Sequence, residues 1–242
     1  MINAEFGSNM DSMIWPKAMD HLAELSVSIA HKPAWSRLAA YLDLRSKGLR
    51  PQALKALEEF IDEASRWRLD ERLSLVRWLE ANDDRSSGVM PFPLIRNLLA
   101  PTISEWLEAE PQDADASCFY AIYVAGSDSK LVPADFLNKA LKIDPNHQKA
   151  LNTKLKWLID YVYYAQHELP ALYLGSPESD LEALREAIPL AERLLDNELR
   201  ENRLATLTKQ LATVQNWMDF EESTPRQHWS LREDLWFERY AD

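Results

Sequence analysis

Apolar residues recur at three- and four-residue steps along nearly the whole chain, the spacing that places them on one face of an α-helix. From Pro16 the pattern runs through Met19, Leu22, Ala23, Leu25, Ile29 and Ala30, and from Pro33 through Trp35, Leu38, Ala39 and Leu42. Lys47-Gly48 closes this second segment with a cation and a glycine, as helix C-termini prefer. Pro51 opens a third with a stripe of Leu54, Leu57, Phe60 and Ile61, and Leu69-Asp70-Glu71 opens a fourth through Leu73, Val76 and Leu79. Proline punctuates these helix starts, where its missing N–H costs nothing. Turn chemistry is densest at Asn82-Asp83-Asp84-Arg85-Ser86-Ser87-Gly88, followed by Pro91-Phe92-Pro93, so residues 82–93 are the expected boundary between two subregions. Helices are predicted again at 94–109, 114–125, 133–143, 147–166, 178–195, 198–220 and 227–240. The alternation of a half-buried strand is nowhere convincing, and the expected fold class is all-α.

Composition changes this picture mainly by exclusion. The 242 residues are 46% hydrophobic and 27% charged, the mix of a globular chain of one large or two small domains. Five glycines are too few for a phosphate-binding α/β domain or a turn-dense all-β fold, whereas 13 prolines fit the helix starts. A net charge of −12 repels phosphate backbones and anionic bilayers, so neither nucleic acid nor membrane is an expected partner. No apolar stretch reaches the roughly 18 residues that a transmembrane helix needs. The N-terminus lacks the basic and apolar regions of a signal peptide. Glu5-Phe6 and Gly7-Ser8 read as translated cloning sites, so residues 1–9 are expected to be vector-derived, with Met10 the native start. A cytoplasmic, reducing location is expected.

Self-comparison finds one informative offset. Trp106-Leu107-Glu108-Ala109-Glu110-Pro111 matches Ala140-Leu141-Lys142-Ile143-Asp144-Pro145 at a spacing of 34 residues, and Ala116 falls 34 before Ala150. A helix that ends in an acid and a proline, with a small residue five positions on, resembles the tetratricopeptide repeat, a helix-turn-helix unit of 34 residues. In the best unit Ala121 takes the small position of the first helix, Leu137 and Ala140 the last packing positions of the second, and Pro145 ends it. A second unit, Trp35-x-x-Leu38-Ala39-x-x-Leu42 with Gly48, Ala53 and Leu57, fits only with two residues inserted between its helices. Pro133 stands where the pattern wants Ala, Ser117 where it wants a large apolar residue, and residues 178–242 show no register. The resemblance implies antiparallel helix pairs stacked as a short α-solenoid. It divides the chain into N-terminal helical pairs at 10–82, a loop at 83–93, and a repeat-like region at 94–242 that ends in capping helices.

Chemistry finds little purchase. His21, His31, His147, His167 and His228 never fall four residues apart, so no helical metal pair exists and surface or helix-end roles are expected. Cys118 lies in an apolar segment, and a lone cysteine makes neither a disulfide nor a multi-thiolate site. The pairs Glu58-Glu59, Asp83-Asp84 and Glu221-Glu222 point about 100° apart on a helix and share no proton. Neither a phosphate-binding loop nor a nucleophile elbow is present. No catalytic residue, metal or cofactor is therefore expected.

Binding features are clearer. Trp157, Tyr161 and Tyr164 share one face of the 147–166 helix, where inter-helix core packing is the ordinary expectation and an aromatic anchor for a partner the alternative. Trp229, Trp236 and Tyr240 form a similar stripe that would cap the apolar end of the stack. Lys149, Asn152 and Lys156 recur at i, i+3 and i+7. The repeat register implies that they face the concave groove, a surface on which relatives that bind acidic peptide termini use Lys and Asn. Glu178, Asp180, Glu182, Glu186, Glu192, Asp196, Glu198 and Glu201 form an acidic stretch, ordinarily a solvated face. The expected function is a non-enzymatic adaptor that binds a partner protein or peptide in a helical-repeat groove. The alternative is an acidic immunity- or inhibitor-type protein that neutralises a cationic toxin or nuclease.

Overall fold

The structure, a computed structural model, describes residues 8–83, 88–127, 130–224 and 229–240. The expected vector-derived segment lies outside the described residues except at its last two positions, as do residues 84–87 of the expected boundary loop. Every regular element among the described residues is helical. The chain forms two compact units, Met1–Pro111 with Ile122–Leu131, and Gln112–Ala121 with Val132–Asp242. The first unit thus runs past residues 83–93 to Pro111 and takes in Ile122–Leu131 as well.

In the first unit α1 (Ser8–Ile29) packs on α2 (Ser36–Ser46), and α2 packs on α3 (Arg50–Ala64). The predicted stop of α2 holds. Gly48 adopts φ +74, Leu49 N–H reaches Leu44 O at 2.9 Å and Gly48 N–H reaches Arg45 O at 3.0 Å, which satisfies carbonyls that the helix end would orphan. Most of the stripes named from spacing are core: Leu22, Leu38, Leu42, Leu57 and Phe60 are fully buried, whereas Met19, Ala23 and Leu54 are half-buried and Ala30 is exposed. After α4 (Leu69–Ala81) comes a short α5 (Phe92–Leu94), which runs through a π turn at Ile95–Leu99 into α6 (Ala100–Ala109). Pro101 explains the widened turn. A proline inside a helix lacks an N–H and clashes with the carbonyl four residues back, and one residue earlier Ala100 N–H bonds Ile95 O. Pro101 and Pro189, which lies inside α10, thus depart from the rule that proline marks starts in this chain.

The second unit takes the first eight residues of α7 (Ala114–Tyr123), then α8 (Pro133–Ile143), α9 (Gln148–Gln166), α10 (Pro177–Glu192), α11 (Asn197–Ser223) and α12 (Trp229–Tyr240). Helix α9 is its hub and packs on α8, α10 and α11. Leu151, Leu155, Ile159, Val162 and Ala165 of α9 meet Leu184, Ala187 and Leu190 of α10 and Leu207, Val214 and Phe220 of α11 in one core. At its end Trp236 lies 5.7 Å from Trp217 and 4.8 Å from Tyr240, so two members of the expected C-terminal stripe pack inward. The side chain of Trp229 lies outside the described residues.

The two turns found by self-comparison carry the same hydrogen bonds at the same offset. Glu110 N–H bonds Trp106 O at 2.8 Å, and Asp144 N–H bonds Ala140 O at 2.9 Å. Asp113 Oδ1 then accepts from Ala116 N–H at 3.1 Å, and His147 Nδ1 from Ala150 N–H at 3.1 Å. Each turn stops one helix and caps the next.

Candidate functional site

The surface of α9 that faces away from its core is built by two anchors. At its start His147 caps the helix through Nδ1 while Nε2 meets Asp115 Oδ1 at 2.9 Å. An accepting Nδ1 leaves the proton on Nε2, so His147 donates to Asp115 in its neutral form. Along its length the buried stripe from Leu151 to Ala165 fixes which residues turn outward.

Lys149, in the first turn of α9, is half-buried with its Nζ 4.9 Å from the centroid of the Phe119 ring. Burial lowers the ammonium to a pKa of about 8. Asn152 Oδ1 accepts from Arg203 of α11 at 3.4 Å. Lys156 pairs with Asp160 one turn on, along its own helix. A pocket of about 380 Å³ opens beside the first of these residues. Gln148, Lys149 and Asn152 form one wall, and Leu194, Leu195 and Asp196 of the α10–α11 turn with Leu199 of α11 form the other. Gln148 ties the walls together: its Oε1 accepts from Leu195 N–H at 2.8 Å, and its Nε2 donates to Arg193 O at 3.3 Å. Leu195 is left 76% exposed on the rim.

The aromatic stripe departs from ordinary core packing. Trp157 is half-buried, but Tyr161 is 52% and Tyr164 66% exposed. Tyr163, which the i, i+4, i+7 spacing passes over, is equally exposed and stacks on His167 with ring centroids 6.3 Å apart. The turn that follows adds Leu172 and Leu174, held near the end of α9 by Leu174 N–H to Ala165 O at 2.8 Å. Of the six residues singled out by spacing, Lys149 and Asn152 line the pocket, whereas Trp157, Tyr161 and Tyr164 stand toward the far end of the helix. The separation from Lys149 to Tyr164 is fifteen residues, or roughly 22 Å.

The acidic stretch is no single face. Asp180 is fully buried, Glu186 pairs with Lys154, and Asp196 caps α11 by accepting from Leu199 N–H at 2.9 Å. Glu178 accepts from Ser176 at the start of α10, which holds its carboxyl below the usual range. Asp180 is an acid that sequence reasoning misplaced. Its partner Tyr173 lies in the preceding loop, and no periodicity pairs a loop residue with a helix. Cys118 is buried as expected, and burial, with Asp115 nearby, pushes its thiol up to about 12. Among the described residues no group of three or more His, Cys, Asp or Glu could hold a metal, and no helix is long and apolar enough to cross a membrane.

Compared with protein-family models, with curated proteins and with solved structures, the chain gave no match.

Proposed function

We propose that the chain is a non-enzymatic interaction protein, a short tetratricopeptide-type solenoid in which α9 presents the docking surface for a partner protein or peptide. The observation that carries this reading is the cluster of exposed aromatic and apolar side chains at Tyr161, Tyr163, Tyr164, Leu172 and Leu174, at the end of a helix whose opposite face is packed. Large aromatics left in water forgo the gain of burial, and Tyr and Trp are the residues that dominate protein interfaces. The paired turns 34 residues apart support the solenoid reading, because each hands one helix to the next with the same bonds. A partner that reached from the aromatic cluster to the pocket at Lys149 and Asn152 would span roughly 22 Å, about seven residues of extended chain.

The acidic-inhibitor reading draws less support. Burial, helix capping and the pair with Lys154 each claim one of the eight acids for internal work. What remains exposed includes Glu182, Glu192, Glu198 and Glu201.

Capture from native lysate on the immobilised protein, beside the variant Tyr161→Ser/Tyr164→Ser, tests the proposal. Both tyrosines are exposed, so the variant should keep its stability within about 0.5 kcal/mol. A partner held by the wild type and lost from the variant supports the reading; partners held equally by both defeat it.

A further inference from the structure

A concave site of about 390 Å³ in the first unit is lined by Tyr41 and Arg45 of α2, Arg50 and Leu54 of α3, and Pro91, Phe92 and Pro93. The chain carries a net charge of −12, yet no carboxylate lines this pocket among the described residues. Three acids of α2 and α3 pair elsewhere: Asp43 with Lys47 at 2.7 Å, and Glu59 and Glu63 with Arg37. Neither Arg45 nor Arg50 has an ion-pair partner among the described residues.

Helix energetics do not account for Arg50. It stands in the first turn of α3, where the helix dipole disfavours a cation, with no acid in that turn and no side-chain oxygen on the capping Leu49. Arg45, by contrast, is positioned from two sides. The Tyr41 hydroxyl lies beside its guanidinium and donates to Gly88 O at 2.9 Å. Gly88 has φ +73, and a Cβ there would lie 3.2 Å from Arg45 Nη2, so a larger residue would strain the loop and crowd the guanidinium. On the same pocket Phe92 is 68% exposed between two prolines, which keep its backbone stiff.

We infer that this pocket binds the monophosphate of a ring-bearing molecule, an aryl or nucleoside monophosphate: Arg45 and Arg50 take the phosphoryl oxygens, and Phe92 with its flanking prolines takes the ring. Two guanidinium groups match a dianion, where a lone carboxylate would satisfy only one, and planar forks suit phosphoryl oxygens. The volume falls in the range of small-ligand pockets.

Isothermal titration of the full chain with phenyl phosphate tests this, with phenol and inorganic phosphate as comparators. Phenyl phosphate should bind more tightly than either. Arg50→Gln, at an exposed position, should weaken it roughly tenfold or more, as should Arg45→Gln. Phe92→Ala should weaken phenyl phosphate and leave inorganic phosphate unchanged. Lys209→Glu, at an exposed position in the second unit, should change neither. Adenosine monophosphate and O-phosphotyrosine then separate the two sources of this chemistry, and tighter binding of either supports the site. No binding of phenyl phosphate at millimolar concentration, or unchanged affinity in Arg50→Gln, overturns the inference.

Discussion

Asp180 carries its carboxyl into the core of the second unit, where Tyr173 donates to Oδ2 and Oδ1 has no hydrogen-bond partner. Burial raises its pKa above the ordinary carboxylate value, and the Tyr173 bond offsets part of that rise. The native state therefore binds this proton at a pH where the unfolded chain has released it. The stability it confers is present below the ordinary carboxylate value and is lost as pH rises through the folded value. Asp180→Asn removes the titration, so relative to wild type it should be more stable near pH 7 than near pH 4, read from urea midpoints at the two pH values. A constant difference would place the carboxyl in water. A second residue-scale expectation concerns Ala121, buried in α7. Ala121→Leu should overpack its site and cost about 1–3 kcal/mol, seen as a lowered thermal midpoint.

At the scale of elements, the turn between α8 and α9 depends on one imidazole. His147 caps α9 and joins it to Asp115 of α7, and this hydrogen bond raises the imidazole pKa. The protonated form would keep the link to Asp115 but give up the cap, because a protonated Nδ1 cannot accept from Ala150 N–H. His147→Ala loses both and should cost about 1–2 kcal/mol. His147→Asn retains a capping oxygen, so chemical denaturation should find it between wild type and the alanine variant. If the two variants are equally destabilised, the link to α7 rather than the cap holds the turn. The π turn before Pro101 shows the opposite economy: the helix continues past a proline by widening one turn rather than stopping.

At the scale of the whole molecule, the net charge of −12 and the α9 surface lead to different binding behaviour. An acidic face would act over a Debye length of about 8–10 Å, so added salt would slow association. An aromatic anchor acts by short-range burial, which lowers the dissociation rate and tolerates salt. Lys149→Glu with Lys156→Glu should therefore weaken the captured partner more than neutralising Glu182, Glu186 and Asp196. Surface plasmon resonance at low and high salt would check both the ranking and the rate that changes. The reverse ranking, with association falling steeply in salt, favours the acidic-face reading.

Helix identity is largely a local property, and it was legible in the chain. The periods that mark Leu38, Leu57, Leu151 and Leu155 as inward are periods of the backbone itself, and Gly48 or Asp144-Pro145 stops a helix by its own geometry. The 34-residue offset is equally local, since each turn closes on bonds between residues four or fewer apart in sequence. Spacing could not decide which of two faces of α9 would find a partner. Whether Tyr161 and Tyr164 are core or surface depends on where α8, α10 and α11 pack, and no pattern within nineteen residues encodes that. The same holds for Asp180, which counts as one more acid in a charged stretch until Tyr173 closes over it. Arg45 and Arg50 become a pocket only when the Pro91–Pro93 segment, some forty residues away, is brought beside them. Local bonding chooses the elements; long-range packing chooses which of their side chains meet water, each other or a ligand.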